Sequence, residues 1–313
     1  MTPFPLLRLP LLAIEQVLCM MSPFELIDLS LTSSRGKSIV TNVGPRFEGF
    51  MVPGESLSIM VFEVGRRAYT KTSDESKDDE VAYGFEAESE YFKHLEDPIE
   101  GWKKWCKYLK EVLRCQFYEV TFDLNNRGMG FREIVDWVKV QQDDFDNMTI
   151  ESKEECDDDL KYVIETFPTV SELNISVSHY KEGFKMEIPG NLSSLTIRNA
   201  NFIDNEQFLR LNAQINVFEE HILTNEDIHQ FVRGWMSMEA HVGLKTLMLR
   251  MENQERFNGM LTGIPFEQIT DVEILERHQN RLQGDDMFRI TRCDGKRCFV
   301  YILCRSYLCM EVC

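Results

Sequence analysis

Five cysteines crowd the end of the chain, at Cys293, Cys298, Cys304, Cys309 and Cys313. Thiolates at that density suggest a metal site, most often zinc. Their spacings of 5, 6, 5 and 4 residues do not fit: no CxxC pair occurs and no histidine lies near. Cys293 and Cys298 flank a turn and read as neighbouring strand residues. The acidic run "DDFDNMTIESKEECDDD" at 143–159 lacks the glycine and closing glutamate of an EF-hand loop, so it reads as a solvated connection. "RGMG" at 127–130 opens onto no GxGxxG and reads as a turn before a helix. The six histidines are scattered, without HExxH, and no GxSxG occurs. Trp102, Trp105, Trp137 and Trp235 all fall on expected helices, where core packing is their ordinary role. The expectation is therefore no catalytic residue, no cofactor and no metal. A hydrolase site assembled in space from distant Cys or Ser, His and acid residues stays open as a separate class.

The elements that would position any site come next. The chain has 313 residues, 43% hydrophobic and 27% charged, which implies a real core. Its length suggests two domains of about 150 residues each. A net charge of −18 with no basic stripe argues against nucleic acid as a partner. No run of apolar residues is long enough to span a membrane, and no signal peptide is expected. Nine cysteines, an odd number, suggest reduced thiols in a cytoplasmic or nuclear protein. The charge is unevenly spread. In residues 1–43, Arg8, Arg35 and Lys37 balance Glu15, Glu25 and Asp28, so the whole −18 lies beyond residue 43. That step marks a boundary near residue 44.

Residues 9–21 place Leu11, Ile14, Leu18 and Met21 on one helical face. Ser22-Pro23-Phe24-Glu25 is a fresh helix start, with Ser22 as cap, Pro23 at the first position and Glu25 completing a capping box. A third helix runs from Arg35 to about Val43 and ends at Gly44-Pro45. Residues 46–70 read as strands, "LSIMVFEV" then "GRRAY", and 73–97 as an acidic, solvated loop with partial order. From residue 98 helices and strands alternate. Strand centres fall near Phe122, Ile150, Ile175, Ile197, Val217 and Met248, at intervals of 28, 25, 22, 20 and 31 residues. Such intervals match strand-plus-helix units of leucine-rich-repeat type, whose apolar faces are buried only by stacking. Alternation points Leu173, Ile175, Val177, Leu195 and Ile197 inward. Thr121, Asp123, Asn174, Ser176, Thr196, Arg198, Gln214 and Asn216 then point outward and form a polar face. Asp294-Gly295 between two β-rich runs predicts a type I′ hairpin. The last ten residues, "CRSYLCMEVC", match no pattern.

"FPLLRLPLLAIEQVLCMMSPFELIDLSLTSSRGK" at 4–37 resembles an F-box, a three-helix unit that docks onto Skp-type adaptors of cullin-based ubiquitin ligases. Leu9-Pro10, Ile14, Leu18, Met21, Pro23, Leu26, Leu29-Ser30-Leu31 and Ser33-Ser34-Arg35 carry the likeness, which is strongest to a large nematode set. "LTNEDIHQFVRGWMSMEAHVGLKTLML", "GIPFE" and "ITRCDGKRCFVYI" are similar to the C-terminal F-box-associated (type 2) domain of those proteins. One departure is the lack of any tryptophan in residues 1–43, which leaves Lys37 and Ile39 in the third helix.

The resemblance implies an α+β chain in four parts. Residues 1–44 are a three-helix F-box and 45–97 a β-rich connector with an acidic loop. Residues 98–303 are an irregular leucine-rich-repeat-like α/β solenoid closed by a β-hairpin, and 304–313 a Cys-rich tail. It also implies a non-catalytic substrate-recognition subunit of a Skp–cullin–F-box ligase. The adaptor would meet Leu9, Pro10, Ile14, Leu18, Met21, Pro23, Leu26, Leu29 and Leu31, and the cullin would be reached through the adaptor. An unknown target would meet the outward strand positions, and the negative domain would suit a basic target or simply a solvated, repulsive surface. The physical reading agrees: about forty residues of helix are marginal alone, and each buried Leu or Ile gives roughly 1.5–3 kcal/mol. A non-catalytic interaction solenoid with no role in ubiquitin transfer is the alternative.

Overall fold

Local capping fixes the first helices. The computed structural model describes residues 6–53, 58–63, 65–72, 81–83, 89–94, 98–125, 130–251, 262–270, 282–303 and 306–313. After a 3-10 turn, η1 (Leu6–Arg8), come α1 (Leu11–Leu18), α2 (Pro23–Thr32) and α3 (Ser34–Val43). The backbone N–H of Ser22 donates to Glu25 Oε2 at 2.7 Å, and Glu25 N–H donates to Ser22 Oγ at 3.3 Å. This is the reciprocal box expected, with Pro23 at the first helical position, where its missing N–H removes no hydrogen bond. Ser33 caps α3 by accepting from Gly36 N–H at 3.0 Å. Gly36 lets α2 and α3 approach closely: a Cβ there would lie 2.4 Å from the Leu29 carbonyl oxygen.

Two compact units emerge, Met1–Phe145 and Asp146–Cys313. In the first, the N-terminal helices pack against α4 (Pro98–Val112). Trp102, Cys106, Leu109 and Val112 form its buried stripe. Ser30 Oγ on α2 donates to the Ile27 carbonyl at 2.6 Å and lies 2.8 Å from the Tyr108 hydroxyl on α4. Lys37 on α3 pairs with Glu111 at 2.8 Å. Lys103, 7% exposed, is held by Glu100 at 2.9 Å and by Glu133 on α5 (Phe131–Gln141) at 2.8 Å. Burial alone would depress the Lys103 pKa, but the two carboxylates outweigh it and raise it.

The sheet of this unit comprises β1 (Glu48–Val52), β2 (Ser58–Glu63), β3 (Gly65–Thr72), β4 (Val81–Tyr83), β5 (Ser89–His94) and β6 (Gln116–Asp123), in the order β6-β1-β2-β3-β5-β4. Strands β4 and β5 correct the reading of 73–97 as loop. Their Val-Ala-Tyr and Ser-Glu-Tyr-Phe cores pair antiparallel within a stretch whose acidity had suggested solvation. The acidic residues 73–80 and 95–97 lie outside the described residues.

The second unit begins with β7 (Asn147–Ser152), α6 (Asp157–Thr166), β8 (Glu172–Val177), β9 (Ser194–Asn199), α7 (Asn205–Arg210), β10 (Ile215–Glu220), α8 (Asn225–Ser237) and β11 (Thr246–Arg250). The five strands pair parallel in chain order. The helices cover the face bearing Leu173, Ile175, Val177, Leu195 and Ile197, all buried as the alternation predicts. Phe208 on α7 stacks on Phe231 of α8 at 4.7 Å and meets Phe218 of β10 edge-on at 6.2 Å.

That aromatic cluster corrects the phase of β10. Phe218, not Val217, points into the helix layer, in register with Ile197 and Leu249. Asn216 therefore turns inward and is 1% exposed, its Nδ2 donating to the Ala213 carbonyl at 2.9 Å.

The sheet continues through β15 (Tyr307–Val312), β14 (Arg297–Leu303), β13 (Leu282–Thr291) and β12 (Glu267–Gln268). The C-terminal strand β15 lies between β11 and β14, antiparallel to both. Among the described residues the hairpin between β13 and β14 joins the sheet of parallel strands through β15, within the segment that matched no pattern. The turn also differs from expectation. Arg292 N–H donates to the Lys296 carbonyl at 2.8 Å and Gly295 N–H to the Arg292 carbonyl at 2.9 Å, a three-residue loop. Gly295 has φ +89° while Asp294 is not left-handed, so the type I′ turn is excluded and glycine serves the single αL position. Arg292 anchors this loop, forking onto Asp294 at 3.0 and 2.8 Å, donating to the Val242 carbonyl at 2.8 Å and lying 5.4 Å over the Trp235 ring.

Gly36→Val should destabilise the first unit by about 1–3 kcal/mol, the usual cost of overpacking a tight core contact. Urea denaturation followed by circular dichroism measures it; an unchanged midpoint would mean that the α2–α3 approach is not constrained.

Candidate functional site

Exposure of the N-terminal helices separates the expected adaptor residues into two sets. Ile14, Leu18, Pro23 and Leu26 are buried. They are core residues of the first unit, which corrects their assignment to a free surface. Ile14 and Leu18 lie at i and i+4 on the inner side of α1, and Leu26 lies on the inner side of α2. Leu9, Met21 and Leu29 are half-exposed, whereas Pro10 and Leu31 are exposed.

Leu11, which the spacing had placed on one face with Ile14 and Leu18, is exposed instead, as is its neighbour Leu12. Leu11 is 63% exposed, Leu12 76% and, beyond the helix, Met20 81%, with Leu31 of α2 at 57%. Glu15 and Gln16 complete the exposed side of α1. The signal in the sequence was the pair Leu11-Leu12: adjacent helical residues lie about 100° apart. With Ile14 and Leu18 turned inward, Leu12 falls on the outer face beside Glu15 and Gln16, whereas Leu11, one heptad before Leu18 and on its side, is exposed at the first turn of the helix.

The second candidate surface is the sheet face opposite the helices of the second unit. Asn174, Ser176, Thr196 and Arg198 lie on it, exposed or half-exposed. Gln214 is half-exposed at the entry to β10, and Asn216 is removed from the surface by the phase of β10. In their places β10 presents Ile215 and Val217. Thr121 and Asp123 are half-exposed on β6 of the first unit, where Asp123 Oδ1 accepts from Asn125 N–H at 3.0 Å.

Two family models match this chain. Residues 6–48 match the F-box domain, and residues 184–249 match the F-box associated family, spanning β9 to β11. Residues 6–48 are an F-box domain. No curated protein and no solved structure matches the chain. The F-box thus comprises η1, α1, α2, α3 and the lead into β1, and the F-box associated segment carries the sheet face on which Ile215 and Val217 emerge.

Outside these two surfaces, the groups that could do chemistry are dispersed. Among the described residues no group of three His, Cys, Asp or Glu is arranged to hold a metal. Cys293 is exposed at the hairpin loop, Cys298 and Cys309 are buried on adjacent strands, and Cys313 is exposed at the terminus; Cys304 lies outside the described residues. Burial raises the thiol pKa of Cys298 and lifts that of Cys115 to about 12, so neither is a thiolate near neutral pH. Trp102 and Trp235 are core residues; Trp137 packs on Trp102 at 5.4 Å and Trp105 on Tyr108 at 5.7 Å. His229 Nε2 meets the Thr262 carbonyl at 3.0 Å.

His241 is the exposed–buried exception among the titrating groups of the F-box associated segment. It is buried and stacks on Phe231 at 4.0 Å. Burial lowers its pKa to about 4, opposed in part by the Leu211 backbone. The unfolded chain then takes up a proton near pH 6.5 that the folded one refuses until about pH 4. Its contribution is complete above pH 6.5 and is lost as pH falls. Between pH 7 and pH 5 the second unit should lose about 2 kcal/mol through this group. His241→Phe should flatten that slope in urea titrations at several pH values; an unchanged slope would contradict it.

Proposed function

We propose that the chain is the substrate-recognition subunit of a Skp–cullin–F-box ubiquitin ligase. The observation that carries this is the uncovered apolar face of the F-box: Leu11, Leu12, Met20 and Leu31 stay largely in solvent while Ile14, Leu18 and Leu26 fill the core. Burying a large aliphatic side chain gives roughly 1.5–3 kcal/mol, so four of them on one small domain suit a stable partner surface. Pro10 and the half-exposed Leu9, Met21 and Leu29 extend it. The partner in this reading is a Skp-type adaptor, with the cullin reached through it.

The chain's own contribution is placement. Holding a target on a scaffold that also carries a ubiquitin-charged enzyme converts an encounter in solution into an intramolecular one, at an effective concentration set by geometry. No side chain of this protein need take part in the transfer. Residues 1–44 serve docking, 45–97 connect, and residues from 98 onward recognise the target as a repeat-like stack of strands and helices that includes β15. Such a subunit works in the cytoplasm or nucleus.

Co-elution of the full chain with a purified Skp-type adaptor tests this. Leu12→Asp should weaken the complex by about 2 kcal/mol or more, roughly thirtyfold, without lowering the thermal midpoint, because Leu12 is solvent-exposed. Absence of a complex with the unmodified chain, or full binding by a Leu11→Asp, Leu12→Asp double variant, would overturn the reading.

A further inference from the structure

The target-facing role of the sheet rests on the proposed function above; its chemistry can be drawn from the face itself. Paired residues give the middle row of the open face as Thr149, Asn174, Thr196, Val217 and Met248 across β7 to β11. Three strands thus present a hydroxyl or amide and the next two an apolar side chain. On β10 the fold gains little from that change: Val217 is half-exposed and Ile215 is 37% exposed, so the polar residues of β7–β9 would serve equally well for sheet formation. The strip is not isolated. Met248 packs against the buried cluster of Ile269, Met287, Tyr301 and Cys309, which gives it a firm apolar floor at one end.

Charge narrows the choice of occupant. Residues 146–313 carry 17 Lys and Arg against 28 Asp and Glu, a net −11. Yet the bases on the open face of β7–β11, Arg198 and Arg250, both stand at its upper row beside the apolar strip. Both are exposed, and neither has an ion pair or a hydrogen-bonded side chain among the described residues. Glu219 lies between them on β10, which leaves the β9–β11 part of that row with one net positive charge, while Glu151 on β7 stands at the far end beyond Ser176. Unpaired guanidinium groups on an otherwise acidic unit are free to fork onto carboxylates. Whole-domain charge would suit a basic target or simply a solvated, repulsive surface; the two arginines of this face suit an acidic one.

We propose that β9–β11 receive an extended acidic segment of the target protein, seating a large apolar side chain on Ile215, Val217 and Met248 and its carboxylates on Arg198 and Arg250. The apolar contact supplies affinity, the arginines orient the segment, and the surrounding negative charge repels acidic chains that lack the apolar anchor.

Fluorescein-labelled peptides placing Glu and Leu in every order over a central tetrad provide the probe, with Lys-for-Glu and Ser-for-Leu counterparts as controls. Fluorescence anisotropy on the full-length chain should show Glu/Leu members binding and both control sets at least about tenfold weaker. Val217→Thr, nearly isosteric and safe for the fold, should weaken Glu/Leu binding by a similar factor. Arg198→Glu with Arg250→Glu should reverse the charge preference, so that Lys/Leu peptides bind in their place. Equal or tighter binding of Lys/Leu peptides by the unmodified chain would overturn the proposal. So would binding unaffected by these substitutions, or no binding by any member. Adaptor co-elution on the same preparations reports the docking role separately: its failure with peptide binding intact counts against the ligase reading alone.

Discussion

Helix α1 has two apolar faces, and the core of its own unit accepts one of them. Ile14 and Leu18 turn inward, with Leu26 of α2 buried alongside, and α4 closes over the F-box helices. Leu11 and Leu12 then stay largely exposed, with no partner among the described residues of the first unit that removes them from water. The inner contacts in turn need the close α2–α3 approach that Gly36 permits and the caps that start each helix in place. A partner surface on the F-box is therefore a consequence of how the inner face is satisfied. A rotation of α1 that brought Leu12 inward would turn Ile14 and Leu18 outward instead.

The second unit solves the same problem with a sheet. Helices cover one face of β7–β11, and the large apolar residues of that face are almost wholly buried. The other face is free to vary, and it does, from Thr and Asn on β7–β9 to Ile, Val and Met on β10 and β11. The C-terminal strand β15 pairs with the outermost parallel strand, so β11 does not present an open edge to other chains. Arg292 fixes the adjoining hairpin loop with a forked carboxylate pair and a tryptophan ring, which lowers the Asp294 carboxyl to about 2.

What the sequence showed and what it hid follow from the range of the forces involved. Helix starts were legible because capping is local: Ser22, Pro23 and Glu25 lie within four consecutive positions. The side of α1 that is buried was not legible, since it depends on packing against α3, which follows beyond a whole intervening helix. In β10 the string Ile-Asn-Val-Phe fits either phase of a strand, and the choice falls to Phe218 because Phe208 and Phe231 wait for a ring. Strand β15 lay within a run that matched no pattern, and its partners β11 and β14 are fixed by pairing that a single strand's sequence does not show. The charge of the whole domain likewise concealed two arginines, without ion pairs among the described residues, on one row of the sheet.

The division of α1 into an inner face for the core and an outer face for a partner is most directly tested by methyl NMR with leucine-selective labelling, on the full chain before and after adding a purified Skp-type adaptor. The account predicts that the methyl signals of Leu11, Leu12 and Leu31 shift or broaden while those of Leu18 and Leu26 keep their positions. Unchanged signals throughout, or changes confined to Leu18 and Leu26, would contradict it.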